Sequence, residues 1–234
     1  MYHLILLFVL VQLAILARYL VYGLFSMTAF VSTFLLLIAA LCICFLSKWL
    51  AQKEENYQPN NIAGWSFYER QTTILTNKPL FKGNVKRGYI RRYFEKKWQR
   101  IVADIVGSNW YLTLELQLDK DNYIVRWKSK NRSLTQEHWE IYKNGVVIGQ
   151  AYARINIKNT VKLKEMMELT FADKTFTTSV ATVSSAIALQ GTPGTVGTMK
   201  RNHIISNVHV LDVQEDCPTH IVALMLHAYY FKSK

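Results

Sequence analysis

The chain is poor in cysteine, in proline and in acidic residues. Three cysteines in 234 residues exclude a disulfide scaffold, and four prolines with ten glycines exclude collagen-like and low-complexity classes. Charge is also scarce, at 19% of residues, and unevenly spread. From Met1 to Glu55 the only charged residues are Arg18, Lys48, Lys53, Glu54 and Glu55. The remainder holds 25 basic and 14 acidic residues, so +11 of the net charge of +12 lies downstream. Half the residues are apolar, which excludes bulk disorder. The mean hydropathy of +0.05 therefore averages two unlike parts that meet near residue 56.

The first part contains two apolar runs, Met1–Ala17 and Phe25–Leu46. The second spans about 33 Å as a helix, enough for a hydrocarbon core of about 30 Å. The first spans about 25 Å, and Arg18 can snorkel to the interface at its end. No amphipathic stripe is visible in either run, so neither reads as a buried helix of a soluble body. A cleaved signal peptide is the rival for the first run, but a basic leader and an Ala-x-Ala site are missing. The expectation is a transmembrane hairpin over residues 1–52, turning around Arg18–Leu24 at Gly23. Lys48 and Lys53 at the exit outnumber Arg18 in the turn, which favours a multi-pass cell-membrane protein with its C-terminal part in the cytoplasm. Cys42 and Cys44 read as small packing residues rather than acylation sites, and Cys217 stands alone. The polar stretch 53–61, with Pro59, reads as a linker to a domain over 62–234.

That domain reads as a series of short antiparallel strands. Leu112, Leu114, Leu116 and Leu118 alternate with polar residues, and Asn122–Lys128 follows after a turn at Asp119–Asp121. His138–Lys143 and Val146–Gln150 flank Asn144 and Gly145, the strongest short hairpin signal, because both turn residues need positive φ. Tyr152–Ile157, Leu163–Phe171, Thr175–Val183, Ala186–Leu189, Gly197–Ile205 and Val208–Val213 continue the series. Without a β–α alternation a doubly wound sheet is excluded. Pro218–Phe231 differs: proline suits a first helical turn, yet the segment is apolar on every face and too short to cross a membrane. Such a helix must be surrounded, which one flat sheet cannot do. The expected fold is mainly β (α+β): a closed antiparallel β-barrel around a buried hydrophobic C-terminal helix 218–231, preceded by the helical hairpin.

The hairpin pattern at Trp139–Gly149 (WEIYKNGVVIG) and the ending Ser206–Phe231, a strand, a polar turn and a wholly apolar helix, resemble the tubby C-terminal-like and LURP-one-related domains. The resemblance extends over about Gly64–Phe231. It implies the architecture shared with phospholipid scramblases, a twelve-strand barrel around a central helix. It also implies a non-enzymatic role, since tubby domains hold phosphoinositide head groups through surface lysine and arginine. No position here matches those side chains, and the membrane hairpin lies outside the family's pattern.

From the residues themselves, the candidate lipid-binding stretch is Lys82–Arg100. It carries Lys82, Lys86, Arg87, Arg91, Arg92, Lys96, Lys97 and Arg100 against Glu95, with Tyr89, Tyr93, Phe94 and Trp98 interleaved. Each cation near anionic lipid gains about 1 kcal/mol, and aromatics favour the interfacial zone. The bland alternative is a solvated strand or helix whose aromatics pack the core. Nucleic acid suits the charge, but no recognised nucleic-acid motif accompanies it. A candidate anion loop is Gly191, Gly194 and Gly197 with Lys200 and Arg201; it is not a P-loop, and a plain strand connection explains it as well. His203, His209, His220 and His227 lack zinc-site spacing, so no metal or cofactor is expected. No Gly-x-Ser-x-Gly is present, and Glu137 and Glu140 lie on opposite strand faces, which leaves catalysis unsupported. Asn131–Ser133 is a glycosylation sequon, relevant only if the domain is extracytoplasmic. The expected function is binding or scaffolding at an anionic phospholipid surface, with membrane phospholipids and a membrane protein as partners. The alternatives are lipid movement across the bilayer and a membrane-associated enzyme or transporter component using the Gly191–Gly197 loop.

Overall fold

Twelve antiparallel strands close into a barrel whose bore is filled by a helix of the same chain. The computed structural model describes residues 2–70, 75–106, 111–128, 136–154, 165–180, 186–203, 206–214 and 217–231. Ahead of the barrel come helices α1 (Tyr2–Tyr22), α2 (Met27–Ser32) and α3 (Phe34–Glu55). The strands are β1 (Trp65–Tyr68), β2 (Lys78–Lys82), β3 (Val85–Tyr93), β4 (Thr113–Leu118), β5 (Asp121–Lys128) and β6 (Gln136–Lys143). They continue with β7 (Val146–Arg154), β8 (Met166–Phe171), β9 (Lys174–Val180), β10 (Ile187–Gly191), β11 (Gly194–Arg201) and β12 (Val208–Val213). Helix α4 (Lys97–Val106) joins β3 to β4, and helix α5 (Pro218–Phe231) follows β12. Each strand pairs with its sequence neighbours, and β1 pairs with β12 through Trp65–Leu211 and with β2 through Trp65–Lys82, which closes the ring.

The hairpin extends further than the two apolar runs alone suggest. Gly23 is the first residue in α1's path that readily takes positive φ (65°), and its N–H caps the helix on the Tyr19 carbonyl at 2.8 Å, so Arg18 stays helical. The Ser26 hydroxyl caps α2 by accepting from the Ala29 N–H at 3.3 Å. Gln12, the polar residue inside the first run, donates to the Thr33 hydroxyl at 2.5 Å, so a polar contact joins the two legs. Tyr2–Tyr22 and Met27–Glu55 are long and apolar enough to cross a membrane, and their outer faces are uncovered. Lys53, Glu54 and Glu55, expected at the head of the linker, complete α3.

Alternation places Leu114, Leu116, Leu118, Val125, Ile141, Leu169 and Leu189 inside the barrel, and α5 threads among them. Every residue from Ile221 to Tyr230 is buried, as expected for a helix that is apolar all round. Trp139 donates from Nε1 to the Leu112 carbonyl at 2.9 Å and meets the Tyr230 ring edge-on at 5.0 Å. Asn144 and Gly145 have φ of 50° and 85° and turn the β6–β7 hairpin as expected. Strands β1, β2, β3 and helix α4 are not among the segments the alternation pattern marks out. Val146–Gln150 and Tyr152 belong to one strand, in which Ile148 is the extra residue where the register shifts between Ile141 and Tyr142. The sequon at 131–133 lies outside the described residues.

Gly88 marks a close approach between strands. A Cβ there would lie 1.8 Å from the Gln117 carbonyl oxygen, which is fixed in the β3–β4 ladder. Gly88→Ala must shift backbone rather than a side-chain tip, and should cost about 1–3 kcal/mol. Thermal unfolding of the purified full chain in detergent checks this, with Gly194→Ala, whose added Cβ meets nothing within 4 Å, as a comparison strained only through its φ of 115°.

Candidate functional site

The two ends of the barrel differ in construction. One end carries the tight hairpins β2–β3, β4–β5, β6–β7, β8–β9 and β10–β11. The other carries the longer connections, including β1–β2 and the α4-bearing β3–β4 segment. Helix α5 enters after β12 at the hairpin end and finishes at the long-connection end. There Tyr229 lies 5.2 Å beneath the Lys78 ammonium, measured to the ring centroid. The membrane-suited helices attach at this same end.

Glu54, in the last turn of α3, makes that attachment. One carboxylate oxygen accepts from the Arg70 N–H at 2.8 Å, and the other accepts from the Thr76 hydroxyl at 3.5 Å and faces Lys78 Nζ at 3.5 Å. Lys78 also reaches Glu69 Oε1 at 3.3 Å. Glu54 and Lys78 are fully buried and Glu69 nearly so, which makes this a desolvated carboxylate–ammonium–carboxylate chain. Burial raises the Tyr229 phenol pKa well above its usual value, and the Glu69 carboxylate adds to the rise. The helical hairpin is thus locked to the barrel by a buried ion triad, not hung from it by a loose tether.

Beside this lock lies a cleft of about 610 Å³. Tyr2 of α1 forms one wall, the end of β3 another, and α4 the third. Four cations line it, Arg91, Arg92, Lys97 and Arg100, against one carboxylate, Glu95. Arg91 is held by Glu115 at 2.6 Å, and Glu95 is drawn to Arg126 at 2.7 Å. Arg92 is 2% exposed, with its guanidinium 4.7 Å from the Phe94 ring centroid. Burial pulls its pKa down to about 10, against the raising effect of Tyr229, so it remains a cation at neutral pH. Lys97 and Arg100 are exposed on α4, and no ion pair engages either among the described residues. The cleft is therefore a cationic, partly aromatic recess placed where α1 begins.

The eight cations of Lys82–Arg100 do not form one patch. Strand β3 carries Arg87 and Tyr93 roughly 20 Å apart at about 3.3 Å per residue. Lys82 sits 6.0 Å from the Trp65 ring centroid, Lys86 lies in a smaller recess with Tyr57 and Phe81, and Arg87 pairs with Asp119 at 3.1 Å, all toward the hairpin end. Arg91, Arg92, Lys96, Lys97 and Arg100 gather at the other end. Arg92 points inward because it shares strand parity with the buried Ile90. The interleaved aromatics divide likewise, with Tyr93 and Phe94 lining the cleft and Trp98 47% exposed.

The glycine loop is the β10–β11 hairpin, and its glycines and cations are separated. Gly194 opens β11 and Arg201 ends it, about 23 Å away along an extended strand. Gly191, Gly194 and Gly197 stay at the hairpin end, while Lys200 and Arg201 run toward the other. Among the described residues no cluster of histidine, cysteine and carboxylate could hold a metal. His227 is a core residue: its Nδ1 bonds the Thr178 hydroxyl at 2.7 Å, and burial lowers its pKa to about 3. His209 stacks on Phe67 and His220 lies edge-on to Phe176. Glu137 accepts from the Trp127 indole, and Glu140 from the Tyr142 hydroxyl, both at 2.5 Å.

Sequence reasoning missed three contributors: Glu54, Lys78 and the helical state of residues 97–106. A period of 3.6 in Trp98, Ile101, Val102 and Ile105 is the signal that finds α4. A family model described as "Tubby C-terminal like domain" matches residues 67–233, which is the barrel from β1 onward with α5. No curated protein and no solved structure matches the chain.

Proposed function

Since the chain belongs to the Tubby C-terminal-like domain family, we propose that it is a membrane-anchored, non-enzymatic member that holds anionic phospholipid head groups in the cationic cleft beside α1. The observation that carries this is the coincidence of two features at one barrel end: the lock to the apolar hairpin, and a recess lined by Arg91, Arg92, Lys97 and Arg100. With α1 and α2–α3 in the bilayer, the cleft stands at head-group depth, where the effective concentration of lipid is high and weak contacts suffice. Arg91 and Arg92 are prefixed by Glu115 and by packing, whereas Lys97 and Arg100 supply uncommitted charge. Lys48 and Lys53 on the barrel side, against Arg18 near the far turn, favour a cytoplasmic barrel at the cell membrane. Helix α5 fills the bore, so lipid movement through it has no room.

The test uses the full chain in a neutral detergent and soluble short-chain phospholipids. Anionic lipids should bind and phosphatidylcholine should not, and salt should weaken the binding. Lys97→Gln with Arg100→Gln should cost about 2 kcal/mol, roughly 30-fold in Kd. Equal affinity for anionic and zwitterionic lipid, or an unchanged Kd in the double variant, would refute the proposal.

A further inference from the structure

The charged side of α4 lines the cleft, with Ile101 at the cleft's edge; the rest of its apolar side is open. At about 100° per residue, Trp98, Ile101, Val102, Ile105 and Val106 fall within an arc of roughly 140°, while Lys97, Arg100 and Asp104 cluster on the other side. Trp98, Ile101, Ile105 and Val106 are 47%, 41%, 40% and 57% exposed. Only Ala103 of this helix is buried. A ten-residue helix has little stability of its own, and four large apolar side chains facing water gain it nothing.

Two observations identify what covers this face. Asp104 accepts from the Tyr2 N–H at 2.7 Å and lies 3.7 Å from the His3 imidazole, which fastens α4 to the first turn of α1. Helix α1 is apolar and its outer face is uncovered, so α4 is fastened at the end of a helix suited to a membrane. Lys97 borders that face beside Ile101, the charge an anionic surface attracts, and tryptophan favours the boundary between head groups and acyl chains. We propose that α4 is an in-plane helix that inserts Trp98, Ile101, Ile105 and Val106 into the bilayer interface next to α1. This rests on the reading above only in requiring α1 to lie in a membrane. It makes the barrel a two-point membrane attachment, with the hairpin through the bilayer and α4 along it.

The test places one fluorescent label on the full chain, with Cys42, Cys44 and Cys217 replaced by alanine. The label goes on Ile105→Cys or Val106→Cys, or on Lys120→Cys at the hairpin end as a control. Nanodiscs of phosphatidylcholine are compared with and without nitroxide-bearing lipid. The Ile105 and Val106 labels should be quenched several-fold by the nitroxide, and the Lys120 label should be unaffected. Labels at 105 and 106 that stay equally bright in both nanodiscs overturn the inference. So does energy transfer between labels on separate copies with no lipid quenching, which would assign the face to a second copy. Quenching in phosphatidylcholine alone together with no anionic preference sinks the head-group reading and leaves the insertion standing. An anionic preference without quenching does the reverse.

Discussion

Replacing Lys78 with methionine should lower the stability of the full chain by about 3–5 kcal/mol, because two carboxylates then share a dry site without their cation. Glu54 and Glu69 stand 3.5 and 3.3 Å from the ammonium, and Lys78 and Glu54 are fully buried. The cost belongs to the unpaired charges and not to the lost methylene packing, since methionine nearly preserves the volume. Adding Glu54→Gln to Lys78→Met should therefore recover part of the loss, although the single substitutions are each destabilising. Thermal unfolding in detergent reads the three variants as a cycle, and the coupling should be favourable and above about 1 kcal/mol. If Lys78→Met unfolds like the parent, the triad does not hold the hairpin to the barrel. The same variant should expose the segment that follows Glu55 to protease, because Glu54 also caps the Arg70 N–H.

The second large effect is acid lability through His227. In the unfolded chain this imidazole takes a proton near pH 6.5, whereas burial lowers the folded value to about 3. Between those values the unfolded state holds the extra proton, so stability falls as pH falls, and the full contribution is present only above pH 6.5. The slope is about 1.4 kcal/mol per pH unit, or roughly 3 kcal/mol by pH 4. Asp121 and Glu140 lean the same way, being held low chiefly by hydrogen bonds from Lys143 and Tyr142 respectively. His227→Gln, whose side-chain amide can still bond the Thr178 hydroxyl, isolates the imidazole: its unfolding temperature should fall less steeply between pH 7 and pH 4 than the parent's. Parallel curves would show that the ring is not buried neutral beside Thr178.

The barrel was legible because its determinants are local. The leucines from 112 to 118 repeat with a period of two, Asn144 and Gly145 demand a tight turn, and the segment 218–231 offers no polar face to water. The candidate site was legible only in its composition. Arg92 belongs to a run of cations, and only the parity it shares with Ile90 reveals that it turns inward. Lys78 gives no local sign of its role, because its carboxylate partners come from an α-helix 24 residues earlier and a strand end nine residues earlier. Glu54 looks like the start of a polar linker until the fold brings β1–β2 against it. The glycine loop shows the converse: Gly191 to Arg201 are close in sequence, yet strand geometry spreads them along the barrel wall.

The helix in the bore comes after all twelve strands in the chain. During synthesis the N-terminal helices and the whole sheet must therefore emerge before the segment that fills the barrel. Until α5 arrives, the inward leucines of β4 and β10 have no helix to pack on, and the seam between β1 and β12 joins residues 140 to 146 positions apart. Such a sheet waits, open and oily, for its filling, which makes the closing step slow and the half-made chain a natural client for chaperones.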